Sequence, residues 1–153
     1  MARGDFTVFE EFVLALGSKE HNIGATDVLK LGIVTNVVTP TAADATPTWA
    51  DYSANDVSAA GGYVADGLTL TFTGVTRWEE AAGTATLDAD DISLSQNGSG
   101  FTDAYWGILY NSSSTGNQAI GFLDLGGPVS EQAGPVNINW NASGILTIAV
   151  SVT

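Results

Sequence analysis

From Asp27 to its end the chain is built of short runs of β-branched and aromatic residues, each closed by Gly, Asn, Asp or Pro. This texture constrains the fold most, because a strand buries alternate residues whereas a helix needs an apolar repeat near every third or fourth position. Strands are expected over residues 28–34, 68–72, 75–78, 83–87, 92–94, 104–110, 119–125, 136–140 and 144–152. The run 104–110 is the richest, and parity puts Trp106, Ile108 and Tyr110 on one face with Tyr105 and Leu109 on the other. Both faces are apolar, so this strand should be central and covered on both sides, with another subunit as one candidate cover. Residues 35–47, rich in Thr, Ala and Pro, read as a loop, and 49–57 could hold one helical turn. With almost no helix to cross between parallel neighbours, the pattern predicts an all-β domain, an antiparallel sandwich or jelly-roll-like fold.

The first residues differ in period. Phe6, Phe9, Phe12, Val13 and Leu16 fall on one face at helical spacing, Thr7 with Glu10 fits a capping box, and Gly17 is a plausible stop. A short N-terminal helix is therefore expected, although β-formers are dense enough here for a strand. Residues 1–20 then read as a helical attachment segment and 21–153 as the β-domain. The aromatic stripe needs cover, from a partner or across an open end of the domain itself, and Arg3 lies just before it. Trp49 and Tyr52 sit outside the strongest strands, so they could form a contact surface or cap one end of the core. Trp78, Trp106 and Trp140 lie in strand runs, where a core role is the ordinary one.

A chain of 153 residues fits one domain, able to bury roughly 68–70% of its unfolded surface without disulfide or metal. Cysteine is absent, which removes disulfides, thiolate metal sites and a Cys nucleophile. A net charge of −13 with only Arg3, Lys19, Lys30 and Arg77 as cations repels phosphate backbones and anionic membranes. Neither a targeting segment nor an apolar run of membrane-spanning length is apparent. Sequons stand at Asn97, Asn111 and Asn141, with nothing to direct the chain to a glycosylating compartment.

Candidate chemistry is sparse. His21, the only histidine, lies in the polar turn SKEHN and reads as solvated; no G-x-S-x-G elbow accompanies it. Glu79 and Glu80 are adjacent on a strand and face opposite ways, so they cannot flank one substrate. Asp88, Asp90 and Asp91 offer hard oxygen ligands but lack the EF-hand spacing, and an acidic β-turn explains them better. No catalytic, metal or cofactor site is expected.

Taken together, HNIGATDVLKLGIVTN at 21–36, TPTWADYSANDVS at 46–58, GFTDAYWGILYN at 100–111, AIGFLDLGGPVS at 119–130 and NINWNASGILTI at 137–148 resemble a family of small structural proteins of tailed-bacteriophage virions. The resemblance covers nearly the whole chain in consistent order and transfers no individual functional residue. It implies a non-enzymatic capsid decoration, or cement, protein, made in the host cytoplasm and carried on the capsid exterior. Its partners would be the major capsid protein and copies of itself, commonly as a homotrimer. The alternatives are a tail or head-fibre module and a carbohydrate-binding module meeting the host surface. The residues expected at a partner contact are Arg3, Phe6, Phe9, Phe12, Trp49 and Tyr52.

Overall fold

The computed structural model describes residues 1–24 and 26–151. Its elements run β1 (Phe6–Val8), α1 (Glu11–Gly17), β2 (Leu29–Val34), α2 (Trp49–Tyr52), β3 (Leu68–Thr69), β4 (Trp78–Ala81) and β5 (Thr84–Leu87). They continue with β6 (Ile92–Leu94), β7 (Ala104–Asn111), β8 (Ala119–Val129), β9 (Val136–Ile138) and β10 (Leu146–Ala149). Every strand pairing is antiparallel, so the protein is all-β. The strands divide into three sheets of unequal size, ordered β1-β8-β7-β2-β3, β10-β5-β4 and β6-β9.

The five-stranded sheet is apolar on both faces, and parity explains how. Leu29, Leu31 and Ile33 of β2 join Leu109 of β7 and Leu123 and Leu125 of β8 on one face. There they meet Leu87, Leu94, Val136, Ile138 and Leu146 from the two smaller sheets. Val34, Ile108, Tyr110 and Phe122 point the other way and are covered by Phe9, Trp49 and Tyr52, with Trp106 packed beside them. The strand expected to be central is central, and both its covers come from the same chain.

Several boundaries differ from those the sequence predicts. The N-terminal helix begins at Glu11, later than a Thr7–Glu10 capping box would start it, and its first turn has no side-chain cap from Thr7 or Glu10. Residues Phe6–Val8 instead form β1 and pair with Leu123, Phe122 and Gly121 of β8. The free edge of the long β8 supplies backbone partners that an isolated helical turn cannot match. The aromatic stripe is split accordingly: Phe9 enters one core and Phe12 the other, while Val13 is exposed. Residues 75–77 are outside the sheet and β4 starts at Trp78. β3 is only two residues long, and the expected end of the last strand, Val152, lies outside the described residues.

The aspartates stay exposed or half-buried, yet each is tied into the chain's own loops. Every aspartate accepts a hydrogen bond from this chain, most of them from loop N–H or hydroxyl groups. Asp is short enough to close turns in this way, which Glu does poorly. Among the glutamates only Glu131 does so among the described residues. It is fully buried, its Oε1 accepting from the Gly62 N–H at 3.1 Å. A Cβ at Gly61 or Gly100 would lie 2.4 Å from its carboxylate oxygens, so two glycines give this side chain its room.

Candidate functional site

Of the residues expected at a contact surface, four are enclosed by the chain itself. Phe9 is tilted against Phe122 with ring centroids 5.2 Å apart and is stacked on Tyr52 at 6.3 Å. Phe12 packs against His21 at 5.3 Å. Trp49 lies flat on Tyr110, centroids 5.0 Å apart and planes within 4°. Its indole N–H donates to Asp66 Oδ1 at 3.0 Å. Tyr52 donates to Asp44 Oδ2 at 2.8 Å. Trp49 and Tyr52 are presented by α2, which a Thr48–Asp51 capping box starts. They cap a core face, so an outside partner does not meet them in this conformation. Phe6 is half-buried, edge-on to Trp140.

Arg3 is exposed, its methylenes lying against Gly126. With Asp124, Asn137 and Asn139 it rims an open groove of about 270 Å³ floored by Leu123, Leu125, Val136 and Ile138. The groove separates the β8 edge from β9. It combines one cation, one carboxylate and two amides with an apolar floor.

His21 is not a solvated turn residue. It is buried, its Nδ1 accepts from the Asn111 amide at 3.1 Å, and its Nε2 has no partner among the described residues. Burial lowers its pKa, against the opposing pull of Asp27 and Glu20. The Asn111 amide also donates to Asp27, joining β7 to the loop before β2. Asn111 is wholly buried, so its sequon is inaccessible in the folded chain.

The acidic run 88–91 is not the β-turn the sequence suggests but an irregular link between β5 and β6, whose Asp88 and Asp90 N–H groups donate to the Arg77 and Thr71 carbonyls. Asp90 accepts from the Thr73 and Gly74 N–H groups and from the Thr71 and Thr73 hydroxyls. These donors, led by the Thr73 N–H, hold its carboxyl far below the usual carboxylate range. Asp91 accepts from the Trp140 N–H. No group of three or more His, Cys, Asp or Glu side chains suited to a metal occurs among the described residues. Glu79 and Glu80 occupy successive positions of β4, on its two faces. Asp44 and Asp56 show opposite balances. Burial raises the Asp44 carboxyl, but bonds from Thr41 and Tyr52 outweigh it and leave the pKa lowered. For Asp56 burial prevails over bonds from Tyr63 and Asp66, and the pKa is raised.

The feature that sequence reading missed is the outer sheet β10-β5-β4. It is anchored by Trp78, Leu87 and Leu146, which meet across it and pack on the main core. Beyond them it is largely exposed, and Ile148 and Val150 lie at a shallow apolar depression with Ala85. The alternation of residues 144–151 was a visible signal, but its pairing partners were not. Among the described residues no helix is long and apolar enough to cross a membrane. Comparison with protein-family models, curated proteins and solved structures finds no match for this chain.

Proposed function

We propose that this chain is a non-enzymatic structural protein of a bacteriophage virion, a decoration protein that binds the outside of the head and stabilises capsomer contacts. The observation that carries the reading is where the reactive side chains go. The sole histidine and all the aspartates serve as internal fasteners of loops and turns, and in the acidic run most suggestive of chemistry Asp90 is taken up by Thr71, Thr73 and Gly74. What remains outside is a shaped acidic body with an exposed three-stranded sheet, suited to docking on a larger surface. The stretches that resemble virion proteins map onto β2, α2, β7, β8 and β9–β10, the framework of that body.

The test is cosedimentation with expanded phage capsids, combined with light scattering of the free protein. Saturable binding to expanded heads, with a rise in their thermal or mechanical stability, supports decoration. Failure to bind heads, with retention of specific glycans on an array, supports the host-surface carbohydrate module instead. Binding to tails or fibres alone supports the remaining alternative.

A further inference from the structure

The outer sheet ends on β10, and this edge has an unusual combination of properties. The bond from the Val150 N–H to the Gly83 carbonyl, 2.8 Å, continues the register that pairs Leu146 with Leu87 and Ile148 with Ala85. In an antiparallel ladder the inward-bonded residues alternate with outward ones. Thr147 and Ala149 therefore turn their N–H and C=O groups away from β5, toward no other strand among the described residues. No proline or lysine stands in β10 to protect this edge, two of the usual devices against pairing with another chain. The ladder is regular from Leu146 to Ala149; its one irregularity is at the start, where the Ile145 N–H bonds the Leu87 carbonyl that Leu146 also faces.

Charge separates the two edges of the sheet. The β4 edge carries Glu79 and Glu80 side by side, so pairing two β4 strands would crowd like charges. After Glu131 the chain has no charged side chain at all. β10 is thus an uncharged open strand on a protein of net charge −13, a place where two like-charged copies can approach at least electrostatic cost. Next to it Val150 is 74% exposed, and Ile148 is half-buried.

We propose that β10 is a self-association edge, along which a second copy of this chain adds its own β10 antiparallel and merges two three-stranded sheets into one. The contact is isologous, so one strand supplies both halves. Centring the twofold on Ile148 sets Thr147 against Ala149 of the second copy and the reverse, which pairs all the outward N–H and C=O groups of these residues. It also sets Ile148 opposite itself as a non-hydrogen-bonded pair, with Cα atoms about 4.5 Å apart. This inference stands apart from the decoration reading, since a chain with either role can carry it.

That spacing falls within the roughly 4.4–6.8 Å a disulfide spans, and the chain has no cysteine of its own. The test is the single-cysteine variant Ile148→Cys, oxidised at micromolar concentration and compared with Val37→Cys, whose site is exposed and lies in the loop after β2, outside this sheet. The expected result is rapid covalent dimer from Ile148→Cys only. A second variant, Ala149→Pro, removes an outward N–H without touching the β5 ladder. By light scattering it should be monomeric where the parent is dimeric, with an unchanged circular dichroism spectrum. Crosslinking of Ile148→Cys no faster than the control overturns the proposal. So does a parent protein that is monomeric at all concentrations, or one that is trimeric and unaffected by Ala149→Pro.

Discussion

Replacing Gly32 by Ala separates two opposing effects at one position. Gly32 lies within β2 with no left-handed φ, so the backbone term alone favours Ala by roughly 0.5–1 kcal/mol. The steric term runs the other way. A Cβ there would sit 2.3 Å from Trp49 Cη2 and Cζ3, whereas carbon atoms settle at about 3.5–4.0 Å. The indole must retreat by more than ~1 Å, which disturbs its stack on Tyr110 and its bond to Asp66. Overpacking costs about 1–3 kcal/mol, the aromatic pair about 0.5–1.5 and the hydrogen bond about 0.5–1.5. Set against the backbone gain, Gly32→Ala should therefore destabilise by roughly 1–5 kcal/mol, the components being coupled. Urea unfolding followed by circular dichroism gives the value, and Gly32→Ala/Trp49→Ala tests its cause. Truncating Trp49 makes room for the methyl, so the double variant should lose clearly less than the sum of the singles. A Gly32→Ala protein as stable as the parent, or strictly additive losses, would refute the packing argument.

Three further outcomes follow from the same physics. His21 has a pKa lowered from 6.5 by burial, so the folded state disfavours its proton; stability is complete above the unfolded value and falls as pH drops below about 6.5. His21→Phe should flatten that slope in thermal unfolding between pH 7 and 5. Asp90, held low by its four donors, stabilises above the ordinary carboxylate value and loses this as pH falls through its depressed pKa; Asp90→Asn should melt lower than the parent at pH 7, with the gap narrowing near about pH 2.5. Deletion of residues 1–17 removes β1 and the buried Phe9 and Phe12, each worth about 1.5–3 kcal/mol when fully covered, and should leave an unfolded or aggregating chain by circular dichroism and light scattering. A truncated protein that stays folded but no longer assembles would restore the attachment role for this segment.

Legibility in the sequence followed the range of the interactions. The position and facing of β7 could be read because period-2 alternation is local and its two apolar faces demand cover. The all-β class was readable for the same reason. The N-terminus was not, because Phe6, Thr7 and Val8 satisfy a helical and an extended pattern alike, and the deciding partner, Leu123–Gly121 of β8, lies far along the chain. His21 looked solvated among Ser18, Lys19, Glu20 and Asn22, yet its environment comes from Asn111 and Phe12. For Trp49 and Tyr52 a signal was present: the Thr48–Asp51 spacing marks a helix start that turns both rings inward. Reading them as the cap of a core, one of the two options the sequence left open, agrees with the structure.

The use of aspartate as a fastener also bears on how this sequence can drift. A loop staple depends on side-chain length as much as on charge, and lengthening Asp90 to Glu displaces the acceptor from all four of its donors. Conversely, Glu10, Glu79 and Glu80 bind nothing internal among the described residues and are exposed. Two acidic populations with the same charge are therefore under different constraints, one geometric and one merely electrostatic. In a saturation mutagenesis scan, the first should reject even its closest homologue while the second accepts Gln, Lys or Asp with little penalty. Among the carboxylates, the net charge can be altered without altering the loops at the exposed glutamates Glu10, Glu79 and Glu80.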